Sequence, residues 1–254
     1  MERNLIIKNI FKVHPFYFLA AFIASVTGNF KGFVIFSGII IVHEFGHVMM
    51  ALILKWKIEK VVLLPFGAIT IFNEDINRSL KEEALILVFG PLTQVLFTFI
   101  YNYFNYSEEF INYSNVLLIF NLLPIFPLDG SKLLNIVLNI FFSFKKSHLI
   151  TIYISFLTIL VVLIKFDFNL ILLLIISFIL AKVLDEFKNH NNIFNRFLLE
   201  RYTKDFKFKK NKVIKSMNLG KMKRDYKHIF YDGKRYITER EILKKRFDFH
   251  SKTW

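Results

Sequence analysis

Long apolar runs separated by short charged stretches dominate this chain. Six segments read as apolar: 14–28, 32–54, 84–104, 112–142, 148–166 and 168–187. A helix needs about 20 residues to cross a hydrocarbon core of about 30 Å. The first segment is short for a full crossing, so it would start earlier or tilt. The fourth is too long for one crossing, and Pro124 and Pro127 break it. Basic and non-basic connections alternate. Arg3, Lys8 and Lys12 precede the first segment, and Lys31 alone follows it. Lys55, Lys57, Lys60, Arg78 and Lys81 lie between the second and third, and only Glu108 and Glu109 between the third and fourth. Lys145 and Lys146 follow the fourth, Lys165 the fifth, and a strongly basic tail the sixth. The excess of basic residues in cytoplasmic loops then predicts six spans with both termini cytoplasmic. The basic-then-apolar start resembles a signal peptide, but the topology requires this stretch as a retained span.

The segment Glu59 to Phe72 departs from the helical pattern. Two β-prone runs flank Pro65-Phe66-Gly67, which reads as a hairpin or re-entrant loop. At membrane depth such backbone survives only inside protein or beside water. An ordinary cytoplasmic loop is the equally weighted alternative. After the last span, Asn192 to Tyr202 is amphipathic, His228–Tyr231 is strand-like, and Asp232-Gly233 is a turn before Arg235–Ile237. Thr238 with Glu241 is a capping-box pattern for a helix through about Phe247. The expected fold is an all-α polytopic membrane protein. It has six transmembrane helices, a small β-hairpin or re-entrant segment, and a small basic α+β cytoplasmic tail. The domains divide as 1–187, the membrane domain, and 188–254, the tail.

Composition agrees. The 254 residues are 54% hydrophobic and include 32 Phe, and mean hydropathy is +0.44. Residues 188–254 hold 20 Lys/Arg against 7 Asp/Glu, a net +13 of the chain's +14. Directly after a span, such a tail marks the cytoplasmic side and contacts anionic lipid, with no direct nucleic-acid role. There is no cysteine, so disulfides and thiolate metal sites are excluded, and any metal must use His and carboxylate ligands.

The chemistry-bearing motif is His43-Glu44-Phe45-Gly46-His47, inside the apolar second segment. On a helix the two His lie on one face, separated by about 6 Å of rise, and can share a tetrahedral Zn²⁺. Glu44 stands beside them as a candidate proton acceptor. A chance match has an expected occurrence of roughly 1 per cent, and a polar trio gluing helices together is the other bland reading. Buried His and Glu in an apolar span are costly without partners, which favours metal. A catalytic zinc needs a third protein ligand and an open position. The candidate is Asp129, in the stretch from Asn121 through Pro124 and Pro127 to Gly130. Asp129 as N-cap of a helix from Ser131 is the competing reading, and spacing alone leaves the two even.

His43–His47 in an apolar span, followed by Asn121, Pro124, Pro127 and Leu128-Asp129-Gly130, resembles the site-2 protease family of intramembrane metalloproteases. The resemblance covers residues 1–187. It implies His43, His47 and Asp129 as ligands of one zinc per chain and Glu44 as catalytic base. It implies Asn121, Pro124 and Pro127 as holding the substrate's opened backbone, with Gly67 on the hairpin. The short six-span form without a PDZ domain implies a sporulation role at the membrane surrounding the forespore. Its implied substrate is the membrane-associated pro-form of a late sigma factor, with inhibitory or regulatory membrane proteins as further partners. Two positions depart from the pattern: Gln94 stands where Asn is expected, and Gly67-Ala68 where a Gly-Gly pair is usual. Residues 231–244 are similar to the end of a CBS motif, but the tail is too short for a CBS pair.

A membrane zinc transporter is the alternative, since it too needs intramembrane His and Asp. It should show further ligands along a path, whereas His14, His148, His190, His228 and His250 lack partner spacing. These five read as interfacial or solvated.

Overall fold

The computed structural model describes residues 11–64, 67–165, 170–208 and 210–250. Arg3 and Lys8, and the Pro65-Phe66 part of the hairpin turn, lie outside the described residues. The chain forms two compact units, Met1–Glu74 with Glu82–Leu122, and Asp75–Lys81 with Leu123–Trp254.

The first unit begins with strand β1 (Phe11–Val13) and helix α1 (Pro15–Val26). Pro15 starts α1, where its missing N–H costs nothing, and His14 Nδ1 accepts from the Phe16 amide at 3.4 Å. Helix α2 (Phe30–Ile53) follows, about 36 Å long. It ends with two bonds, Trp56 N–H to the Ala51 carbonyl at 2.8 Å and Lys55 N–H to Leu52 at 3.0 Å. Lys55 is left-handed at φ 57°, so this is a Schellman stop built without glycine. Trp56 packs on Met50 and Ala51 beneath it. The chain then enters β2 (Ile58–Leu64) and β3 (Gly67–Phe72), an antiparallel pair with Leu64 opposite Gly67. The hairpin expectation therefore holds. Strand β1 pairs parallel to β2, with Phe11 opposite Val61, a pairing that no local pattern announces. Three exposed residues carry too little pattern to read as a strand. Strand β3 is an edge of the three-stranded sheet.

Helix α3 (Leu80–Phe104) contains Pro91, and helix α4 is Glu108–Leu122. The long fourth apolar segment is thus two helices, α4 and α5 (Asp129–Phe141), separated by the two-proline stretch. Among the described residues, three helices are long and apolar enough to cross a membrane: α2, α3 and α6 (Phe144–Lys165).

The second unit holds α5, α6 and α7 (Leu170–Thr203), a 34-residue helix. The amphipathic stretch 192–202 is the continuation of this helix beyond its apolar part. A second sheet follows, with β4 (Lys210–Ile214) parallel to β5 (Tyr226–Tyr231) and β5 antiparallel to β6 (Tyr236–Thr238). Helix α8 (Glu239–His250) closes the tail, with Thr238 Oγ1 accepting from the Glu241 amide at 3.4 Å, as the capping pattern predicts. Phe144, Phe197, Leu198, Met222, Phe230 and Leu243 centre its core.

Of the five His read as interfacial or solvated, three are packed against protein rather than solvated. His148 and His190 stack at 5.1 Å between α6 and α7, and His190 is buried. His228 is fully buried and bonded to Glu239. Spacing along the chain could not reveal these contacts, because each partner comes from a different element. The side chain of His250 lies outside the described residues.

Candidate active site

Helix α2 carries His43 and His47 on one face, both buried, with their Nε2 atoms 3.1 Å apart. Neighbouring vertices of a tetrahedral zinc shell with Zn–N of 2.0–2.1 Å lie about 3.3 Å apart, so the spacing fits two ligands of one ion. The other ring nitrogens fix the tautomers. His47 Nδ1 lies 2.8 Å from the Ile86 carbonyl, which can only accept, so Nδ1 carries the proton. His43 Nδ1 lies 2.8 Å from Gln94 Oε1. In the neutral rings both Nε2 lone pairs are then turned toward each other. Two imidazole nitrogens so placed fit a cation between them.

Glu44 completes the group. His43, Glu44 and His47 offer ligand atoms all within 4.8 Å of one another. Glu44 is half-buried, and its Oε2 accepts from Thr70 Oγ1 at 2.6 Å. Asn121, near the end of α4, brings its Nδ2 within 3.4 Å of His43 Nε2. A donor thus faces the same small space as the two imidazoles and the carboxylate.

Two glycines permit the approach of α2 and α3. A Cβ on Gly90 would collide with the His47 ring, and one on Gly46 with Thr93 Oγ1 and the Phe89 carbonyl. On α3 the positions 86, 90 and 94 are four apart and line one face. They present a carbonyl, a gap and an amide to the His pair. Close backbone approach through small residues is a general way to pack helices in lipid.

Gly67 opens β3, and a Cβ there would meet nothing within 4 Å. The remaining predicted residues belong to the second unit. The stretch 123–128 is held by Ser155, whose Oγ accepts from the Phe126 amide at 3.0 Å and lies 3.3 Å from the Pro124 carbonyl and 2.9 Å from that of Thr151. The Phe126–Pro127 peptide is cis. Asp129 is buried and is the first residue of α5, with Leu128 as the cap position and Lys132 Nζ 3.4 Å from its carboxylate. The helix starts at Asp129, so Asp129 is not the cap of a helix from Ser131.

Reading the sequence alone misses three contributors. Gln94 stands out only as a departure from Asn, yet it contacts a His of the motif. Gly46 lies inside the motif, where a small residue beside two His signals a close crossing. Thr70 carries no signal, because its role depends on which strand face meets α2.

A model of peptidase family M50 matches residues 31–108, which take in α2, the hairpin and α3. Stage IV sporulation protein FB of Bacillus subtilis (strain 168) is 32% identical over 202 residues, 75% of this chain and 70% of that protein. A zinc metalloprotease of Methanocaldococcus jannaschii is 28% identical over 121 residues, 42% of this chain and 34% of that protein. The solved site-2 protease from Methanocaldococcus jannaschii shares the fold, with a TM-score of 0.55 at 23% identity over 69% of this chain and 89% of that one. With a paired-imidazole site and an adjacent carboxylate in an apolar helix, and a relative this similar over most of both lengths, the chain belongs to peptidase family M50, the site-2 proteases, and is an integral-membrane metalloprotease.

Proposed function

We propose that this protease binds one Zn²⁺ through His43, His47 and Asp129 and cuts a membrane-associated protein near the cytoplasmic face of the bilayer. The observation that carries the reading is the pair of imidazole Nε2 atoms 3.1 Å apart, with Glu44 in the same group. A zinc ion bound there would polarise the scissile carbonyl and acidify a water. Glu44 takes that water's proton on its carboxylate and passes it to the leaving amine. The Thr70 hydroxyl holds the carboxylate in place. Asn121 and the stretch with Pro124 and Pro127 hold the opened substrate backbone. An extended substrate segment adds to the outer edge of β3, beginning near Gly67, where an added Cβ would meet nothing within 4 Å. Pairing there matters because a helical substrate hides its carbonyls in hydrogen bonds.

The depth of the site follows from α2. From His47 to Lys55 is about 12 Å of helix rise, so the site lies nearer the Lys55–Lys57 end, which the charge pattern makes cytoplasmic. Lys31 and Glu109, from two connections placed on the outer side, pair at 2.9 Å, which supports the six-span topology with both termini cytoplasmic. The basic tail, residues 188–254, lies against anionic lipid. The similarity to the sporulation protein of Bacillus subtilis supports a sporulation pro-sigma factor of the sigma-K kind as substrate. It also supports a location in the membrane surrounding the forespore and control by other membrane proteins. A zinc transporter is not favoured by the family assignment.

Co-expression with candidate pro-sigma factors and mass spectrometry of the product ends tests the reading. A cut in a juxtamembrane or re-entrant segment on the cytoplasmic side is expected. A cut in the outer half of a substrate span, or none in any candidate, contradicts it.

A further inference from the structure

We propose that Gln94 is a positioning residue for the metal site, with its side-chain amide setting the tautomer and ring direction of His43. The proposal rests on the reading of His43 as a metal ligand. Gln94 is buried on α3, with its Nε2 2.8 Å from the backbone carbonyl of Ser114 on α4 and 3.1 Å from the Ser114 hydroxyl. A carbonyl oxygen only accepts, so the amide NH₂ must face Ser114, and Oε1 must face His43. An amide oxygen cannot donate. His43 Nδ1, 2.8 Å away, therefore carries the proton, and Nε2 is left with its lone pair toward His47.

The order runs from a backbone carbonyl through one side chain to a ligand, and each step leaves a single assignment for the next. Thr98 supports Ser114, with its Oγ1 2.7 Å from the Ser114 hydroxyl and 2.8 Å from the backbone carbonyl of Gln94. The two His are held differently. His47 is oriented by the Ile86 backbone carbonyl, which no side-chain replacement removes. His43 is oriented by a side chain, so it is the ligand that a substitution can release. Partners of this kind keep a ring in its binding tautomer and raise its basicity toward the ion.

Two near-isosteric variants separate positioning from packing. Gln94→Met keeps the volume and removes acceptor and donor. Gln94→Glu keeps an acceptor for His43 and, as a carboxylic acid, a donor for Ser114. The readout is zinc affinity of the full-length protein in detergent, by chelator competition, together with the visible spectrum of the cobalt-loaded protein. Gln94→Met should bind zinc roughly tenfold to hundredfold more weakly and alter the cobalt spectrum, while Gln94→Glu stays near the wild type. A packing role gives the reverse order, with Met tolerated and the buried carboxyl harmful. Wild-type affinity in Gln94→Met overturns the proposal. So does a tenfold or greater loss in Gln94→Glu, which decides the matter alone if the Met variant does not fold. The wild type and His43→Ala are measured alongside. If the wild type holds no zinc that depends on His43, it is the ligand reading that fails.

Discussion

Thr70 on the edge strand β3 donates its hydroxyl to Glu44 Oε2 at 2.6 Å. The strand proposed to receive substrate and the carboxylate proposed to move the proton are therefore joined by one hydrogen bond. Hydrogen bonds to charged groups contribute about 1.5–3 kcal/mol, or roughly tenfold to a hundredfold in rate if the bond persists in the transition state. Thr70→Val should lower the cleavage rate by that order with zinc retained, and Thr70→Ser should restore most of it. Single-turnover cleavage in membranes checks this. An unimpaired Thr70→Val would remove Thr70 from the proton path.

Gly90→Ala places a methyl against the His47 imidazole. The ring must move, because the obstacle on the other side is the α3 backbone. Zinc content of the purified variant should fall well below that of the wild type while the protein still inserts in membranes. Normal zinc content would show that the α2–α3 crossing relaxes.

The tail is predicted to loosen on acidification. His228 Nδ1 contacts Glu239 at 3.1 Å, and its Nε2 accepts the Lys223 amide at 3.0 Å, so the ring is neutral with its proton on Nδ1. Burial pushes the His228 pKa down, outweighing the nearby Glu239 carboxylate. Burial acts to raise the Glu239 pKa, but the bond from His228 and the Arg201 charge outweigh it and hold it below the ordinary value. Both pKa values are lowered on folding, so the unfolded tail binds more protons and stability falls as the pH falls. The His228 contribution fades from about pH 6.5 downward, and that of Glu239 only in the acid carboxylate range. Hydrogen exchange of residues 210–248 should show less protection at pH 5 than at pH 7.5. Equal protection would contradict the neutral-His arrangement.

Arg201 anchors the same network, donating to Glu239 at 3.0 Å and to the Tyr226 and Lys223 carbonyls at 2.9 Å. Its side chain is almost wholly buried. Arg201→Ala leaves Glu239 without its charged partner, a change of about 3–5 kcal/mol. Proteolysis of the tail should accelerate strongly. Wild-type resistance would show that Arg201 does not hold the tail together.

Much of this architecture is legible in the sequence because it rests on local pattern. The apolar runs give α2, α3 and α6, Pro124 and Pro127 give the break between α4 and α5, and Thr238 with Glu241 gives the start of α8. The i,i+4 His pair gives the core of the site for the same reason. What escapes is set by contacts between elements distant in sequence. Gln94 meets His43 across 51 positions, Thr70 meets Glu44 across 26, and Arg201 meets Glu239 across 38. No periodicity records such pairings, and β1 is a strand only because β2 lies beside it.

Zinc content and cleavage measured together in the wild type and Glu44→Gln test whether Glu44 moves the proton at a bound zinc. One zinc per chain is expected in both, with cleavage of a co-expressed substrate only in the wild type. A Glu44→Gln protein that still cleaves at the wild-type rate, or a His43→Ala/His47→Ala protein that keeps its zinc, would contradict it.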